Sequence, residues 1–119
     1  MGGMEFTTKV LNDIISALTA NNIKRSLCIM GGEPLCQENQ FLTLLILTEI
    51  KSRLPETKVY IWTGYTIEEL NKMTTGKIPQ ILEMTDCLID GPYIQEQRDI
   101  TLPMRGSTNQ RILYKNIDF

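Results

Sequence analysis

Ser26–Cys36 reads SLCIMGGEPLC, and this stretch decides the fold. Leu27, Cys28, Ile29 and Met30 form a short apolar run that meets Gly31-Gly32-Glu33-Pro34. An apolar run bounded by a glycine pair and a proline predicts a buried strand over 26–30 ending in a tight loop. Without Cβ atoms, the two glycines allow φ > 0 and close approach of a ligand to the backbone. Glu33 then puts a carboxylate just past the carboxyl end of the strand, the edge at which α/β folds bind ligands. Two readings follow. The loop holds a small ligand carrying an amino group, or it is a plain strand-to-helix turn with a solvated Glu.

A chain of 119 residues accommodates one domain and a modest core. That is too short for a complete barrel of eight βα units. The formal net charge of −2 gives no basic footprint for nucleic acid. No apolar run is long enough to span a bilayer, since Phe41–Leu47 is broken by Thr43 and followed by Thr48-Glu49. The first residues, Met1-Gly2-Gly3, read as a frayed start or an expression remnant. They lack the basic start and apolar core of a secretion signal, so the cytosol is the expected compartment. The three cysteines, Cys28, Cys36 and Cys87, are too few for a disulfide scaffold and match no common metal spacing. Cys28 and Cys87 read as small apolar strand residues. The chain has no histidine, which removes the usual general base and the commonest nitrogen ligand.

The rest of the chain builds outward from the 26–36 stretch. Thr7 or Thr8 is expected to cap a helix running to about Ala20, with Val10, Leu11, Ile14, Ile15 and Leu18 on one stripe. Asn21-Asn22 is its expected stop. A second helix is expected from about Glu38 to Leu54. It is apolar nearly all round in its first half, which predicts cover on more than one side. Pro55 ends it. Val59–Trp62 reads as a strand followed by Thr63-Gly64. Thr66 and Glu69 then form a capping box, with Tyr65 and Leu70 placed for a hydrophobic staple. That short helix fades by Thr74-Thr75-Gly76, and Pro79 opens another over Gln80–Met84. Cys87-Leu88-Ile89 reads as a third strand ending in Asp90-Gly91-Pro92. Tyr93 to Arg111 reads as a long surface loop of the kind that carries function. Arg111–Lys115 is a last strand. The β-α-β-α-β order implies a mainly parallel sheet of about four strands with flanking helices. The turns GGEP, TGYT and DGPY should converge on one edge of it.

Four stretches now carry a resemblance: GGEPL at Gly31–Leu35, IWTGYT at Ile61–Thr66, LIDG at Leu88–Gly91 and LPMRGSTNQR at Leu102–Arg111. In this order they resemble the activating proteins of anaerobic ribonucleotide reductase, which are radical-SAM enzymes. GGEP is common to many radical-SAM enzymes; the other three are more specific. The resemblance runs from roughly Gly3 to Ile112 and implies a single domain in the form of a partial (β/α) barrel. It also implies a [4Fe-4S] cluster that passes one electron to S-adenosylmethionine. The 5′-deoxyadenosyl radical so formed takes a hydrogen atom from a glycine of the reductase large subunit, the implied partner. By the same resemblance Gly31, Gly32, Glu33 and Pro34 hold the methionine amino group. Thr63, Gly64 and Tyr65, with Asp90 and Gly91, line the rest of the pocket. Arg105, Ser107 and Asn109 belong to a pocket or partner loop, where Arg105 pairs with a carboxylate or else serves, with Asn109, to fold the loop.

The sequence departs from the family pattern at the cluster. The family's CxxxCxxC loop, which supplies three thiolates to one cluster, is not present in this chain. Cys28, Cys36 and Cys87 do not reproduce its spacing. The chain therefore reads as the C-terminal three-quarters of such an enzyme, without its first strand: a cloned fragment, a truncated gene product or half of a split protein. On this reading it binds no cluster, has no catalytic residue of its own and is inactive alone. Losing a strand would leave the 26–30 strand as an open edge, covered by the N-terminal segment or by a second copy of the chain. The alternatives are a non-catalytic module that binds S-adenosylmethionine or docks on the reductase, and an unrelated α/β domain with a generic nucleotide pocket.

Overall fold

The structure is a computed structural model that describes residues 3–20, 25–29, 33–73 and 76–119, with side chains in the first helix described from Leu11 onward. The elements run α1 (Gly3–Thr19), β1 (Leu27–Ile29), α2 (Gln37–Arg53), β2 (Val59–Trp62), α3 (Ile67–Asn71), α4 (Ile78–Glu83), β3 (Cys87–Asp90) and β4 (Arg111–Tyr114). The four strands form one sheet in the order β1-β2-β3-β4. β1, β2 and β3 are parallel, because each crossover carries helix, while β4 returns antiparallel to β3. The fold is thus α/β with a mostly parallel four-stranded sheet, as expected from the alternation of elements.

Strand alternation separates two faces. Leu27, Ile29, Val59, Ile61, Leu88 and Leu113 share one face and join a single core with Leu18 of α1, Leu47 and Ile50 of α2, Ile67 and Leu70 of α3, and Ile78 and Ile81 of α4. The other face carries Cys28, Tyr60, Trp62, Cys87 and Ile89 in matching register, and none of these belongs to that core. The four α-helices, α1 to α4, therefore pack on one side of the sheet. α2 packs against both α1 and α4, which explains its wide apolar surface, although Phe41 stays exposed.

Some boundaries differ from the sequence expectation. α1 begins at Gly3, upstream of the expected Thr7 or Thr8 cap, and Leu11 and Leu18 mark its buried stripe. The expected stop at Asn21-Asn22 and the fade at Thr74-Thr75 lie outside the described residues. α4 starts two residues earlier than expected, with Pro79 in its first turn. Cys28 is an exposed strand residue, not a buried one, because alternation turns it to the helix-free face of the edge strand. β1 is the sheet edge, and no strand pairs with its outer side among the described residues.

At the amino end of the parallel strands, Asp86 Oδ2 accepts from the Val59 amide at 2.8 Å and from Lys51 Nζ at 3.0 Å. Lys51 also donates to the Thr57 carbonyl. Partial burial pushes the Asp86 carboxyl up, but these two donors outweigh it and hold the group below the usual carboxylate range. A depressed folded-state pKa means a stabilising contribution present above the unfolded value and lost as pH falls through the folded one. Asp86→Ala leaves the fully buried Val59 amide without an acceptor, so urea unfolding at pH 7 should show a loss of about 1–3 kcal/mol. The gap between wild type and variant should then narrow below about pH 4. A gap that is constant from pH 7 to pH 3 would contradict this role.

Candidate functional site at the carboxyl rim of the sheet

The turn after β2 is the centre of the rim. Thr63 continues the ladder by donating its amide to the Ile89 carbonyl, and Gly91 donates to the Tyr65 carbonyl at 2.9 Å. Glu33 reaches this turn from the β1 side. Its Oε2 accepts from Thr63 Oγ1 at 2.7 Å and from the Leu35 amide at 3.0 Å, and its Oε1 accepts from the Gly64 amide at 2.6 Å. Thr63 Oγ1 in turn accepts from the Tyr65 amide. A Cβ on Gly64 would stand 3.3 Å from Glu33 Oε1, so the missing side chain is what lets the carboxylate close on the amide.

The GGEP loop is fixed against α2. Asn39 Nδ2 donates to the Glu33 carbonyl, and the buried Thr43 hydroxyl donates to the Pro34 carbonyl at 2.8 Å. Gln40 donates to the Leu35 carbonyl. Pro34 and Leu35 are buried and Glu33 is half-buried, so the loop presents its acid and hides its apolar part. Gly31 and Gly32 lie outside the described residues.

From the β3 side the turn is held by Asp90. Its Oδ2 accepts from the Ile67 amide at 2.8 Å, in the first turn of α3. Arg111, opposite it on β4, donates to both carboxylate oxygens and to Glu68 Oε2 at 2.7 Å. The Asp90 side chain is 1% exposed, so its charge is balanced inside the protein. Bonds to Glu68 and Asp90 push the Arg111 pKa far above its ordinary value, and the Arg111 contact holds Glu68 below the usual carboxylate range. The capping box of Thr66 and Glu69 completes this start of α3. Sequence reasoning placed Asp90 at the rim but missed the Asp90–Arg111–Glu68 network. The available signal was register: Asp90 faces the same side as Leu88, and an antiparallel last strand brings Arg111 opposite.

The long loop folds back onto the same rim. Gln110 Nε2 donates to the Gly91 carbonyl while its Oε1 accepts from the Gly106 and Ser107 amides. Asn109 donates to the Pro92 carbonyl and accepts from the Ser107 hydroxyl. Ser107 Oγ accepts from the Ile94 amide. Trp62 Nε1 donates to the Met104 carbonyl at 2.7 Å, pinning the loop to the end of β2. Ser107 and Asn109 thus fold the loop. Arg105 does so only in part, through one bond from NH1 to the Gln110 carbonyl. Gly91 sits at φ +95, in the left-handed region that favours glycine. Glu33, Thr63–Tyr65 and Asp90–Gly91 are therefore gathered at one edge, as the strand order required.

A family model described as a 4Fe-4S single cluster domain matches residues 1–113, which puts the chain in that class of protein. The chain is 37% identical over 111 residues to the anaerobic ribonucleoside-triphosphate reductase-activating protein of Vibrio cholerae and 39% identical over 111 residues to that of Haemophilus influenzae. Each match covers 92% of this chain and 69% of the relative. The protein of the same name from Enterobacteria phage T4 is 32% identical over 98% of this chain and 69% of its own length. The chain belongs to the family of anaerobic ribonucleoside-triphosphate reductase-activating proteins. No solved structure matches it.

The chain's own thiols do not fit the cluster that the family model names. Among the described residues no three Cys, Asp or Glu side chains gather as a metal set. Cys28 and Cys87 share a register row two strands apart, roughly 10 Å between Cα atoms. Burial pushes the Cys87 thiol up, away from the thiolate that metals need. Cys36 stands at the start of α2, where the Glu38 backbone amide and, after it, the Cys36 thiol hold the Glu38 carboxyl below the usual range.

Removing Arg111 would leave the Asp90 carboxylate buried and unpaired. Arg111→Met is expected to cost about 3–5 kcal/mol in urea unfolding, and adding Asp90→Asn to it should recover part of that loss. Equal stability of the single and double variants would show that the pair does not carry the network.

Proposed function

We propose that this chain supplies the cofactor-facing rim of a radical-SAM activase acting on the anaerobic ribonucleoside-triphosphate reductase. What the relatives are, activating proteins of the anaerobic reductase, supports the partner, and the rim supports the ligand. The observation that carries the reading is Glu33. Its carboxylate orders the Thr63–Tyr65 turn and is still half-exposed, and Oε1 accepts a single bond, from Gly64. An ionised carboxylate offers about four lone-pair sites, so capacity remains for an ammonium. In this reading Glu33 accepts from the amino group of S-adenosylmethionine. Gly64, with no side chain, gives the ligand room. Thr63 and Tyr65 hold the turn in place. Asp90 and Gly91 contribute through the turn they brace and not by direct contact, since Asp90 is fully buried. Pro34, buried and held by the Thr43 hydroxyl, fixes the loop that presents Glu33. When bound, S-adenosylmethionine supplies a sulfonium whose reductive cleavage yields the hydrogen-abstracting species of radical-SAM chemistry.

An open sheet with helices on one face is what an arc of a radical-SAM barrel consists of. The outer side of β1 is then where a further strand, such as one from a second copy, would pair. The poor fit of the thiols makes this chain non-catalytic alone, because the cluster's ligands would have to come from elsewhere. A module that only binds S-adenosylmethionine or docks on the reductase is the second reading, and the same poor fit favours it.

Two measurements test these statements. Glu33→Gln should weaken S-adenosylmethionine binding about 10- to 100-fold in calorimetry, the worth of one charge-assisted bond. Equal affinity in a folded variant removes Glu33 from the site. Anaerobic reconstitution with iron and sulfide should leave this chain far below one cluster per molecule. A stoichiometric [4Fe-4S] cluster lost on substituting Cys28, Cys36 or Cys87 would contradict the account of the thiols.

A further inference from the structure

Large apolar side chains stand in solvent at six described positions, and three of them, Tyr93, Ile100 and Met104, lie between β3 and β4. Residues 97–108 of that loop form a short hairpin. The Thr108 amide donates to the Gln97 carbonyl at 2.9 Å, Arg98 and Ser107 make an antiparallel bridge, and the Asp99 amide donates to the Gly106 carbonyl at 3.3 Å. The tip reads Ile100-Thr101-Leu102-Pro103-Met104, apolar at four of its five positions. Ile100 is 83% exposed, and Pro103 and Met104 are exposed beside it. Exposed apolar side chains gathered on one feature mark a contact surface more often than scattered ones do.

The tip is held in one conformation from both sides. Asp99 Oδ1 accepts from the Thr101 amide and hydroxyl, and the Leu102 amide donates to the Asp99 carbonyl. Met104 sits at φ 59, in the left-handed region that non-glycine residues seldom adopt, and the Trp62 indole grips its carbonyl. A Cβ on Gly106 would stand 2.9 Å from the Tyr93 ring, so the glycine lets that ring lie against the hairpin. Fixing exposed apolar groups costs conformational entropy and gains no burial within the chain. It does lower the cost of a later association, because less is left to order. The hairpin also stands at the carboxyl rim, through Trp62 at the end of β2 and through Gln110, which donates to the Gly91 carbonyl. Arg98 on the hairpin is exposed and in no ion pair among the described residues, while the Asp99 carboxylate is engaged by Thr101.

We propose that this hairpin tip is the docking surface for the reductase, with Ile100 entering an apolar pocket of that protein and Arg98 meeting a carboxylate at the pocket's border. An apolar centre with a charged border is the usual build of a protein interface, and the border charge steers the encounter. An activase must bring its protein substrate to its own rim, and this hairpin is the exposed apolar feature fixed there. Ile117 supplies the contrast. It is 82% exposed but follows β4, which runs antiparallel to β3 and ends beside Asp86, at the opposite end of the sheet. The proposal rests on the reading of the chain as part of an activase of the reductase.

The test measures binding of the full chain to the immobilised cognate reductase by anaerobic biolayer interferometry. Ile100→Ser should weaken binding about tenfold or more. Arg98→Glu should also weaken it, and most at low salt, where a border charge acts furthest. Ile117→Ser should bind as wild type does. All three side chains are exposed, so no packing is lost, and circular dichroism checks that each variant folds. Wild-type affinity in Ile100→Ser or in Arg98→Glu overturns the proposal while leaving the reductase as partner. So does an equal loss in Ile117→Ser. Sedimentation of the chain alone adds one further outcome: a dimer that dissociates on Ile100→Ser would give the tip to a second copy and overturn the proposal. No binding of wild type to the reductase overturns both this surface and the reading on which it rests.

Discussion

The turn between β2 and α3 is held by a carboxylate on each side, and the rest of the rim takes its shape from that. Glu33 comes from the loop after β1 and closes on Thr63 and Gly64. Asp90 comes from the end of β3 and closes on Ile67. A parallel sheet brings its strand tips to one edge but does not fix the loops beyond them. Here the loops are fixed by charge-assisted bonds to backbone amides, which are stronger than neutral ones and geometrically specific. Both brace the turn, Asp90 with its charge balanced by Arg111 and Glu33 without an ion-pair partner among the described residues.

The long loop from Tyr93 to Gln110 is a second layer of the same construction. Most of its polar side chains bind back to residues 91–94 or to one another, so its motif is largely a clasp. Within it, only Arg105 has a buried donor with no acceptor among the described residues. A segment whose other members are satisfied makes the exception informative.

Much of this was readable from the residues themselves. The short apolar runs and the Gly and Pro punctuation gave the strands, since few conformations accommodate that pattern. The Thr66–Glu69 capping box fixed the start of α3 because two orphan amide donors need those two side chains. The convergence of GGEP, TGYT and DGPY followed from topology alone. What was not readable depended on register between strands distant in sequence. Arg111 finds Asp90 only because β4 runs antiparallel, and Cys28 turns outward only because of its parity on an edge strand. The start of α1 was also missed, because the Thr7–Thr8 pair offers a cap that the helix passes over. The division of labour between Ser107, Asn109 and Arg105 could not be read from a motif, since it is set by which acceptors the folded loop brings near.

The central claim is that one carboxylate, Glu33, organises the turn after β2. Amide hydrogen exchange followed by NMR tests it most directly, comparing wild type with Glu33→Ala. The account predicts that the Gly64 and Leu35 amides lose protection together in the variant, while the Ile61 amide in the body of β2 and the Ile67 amide held by Asp90 keep theirs. Unchanged protection of Gly64 on removal of the Glu33 carboxylate would contradict it.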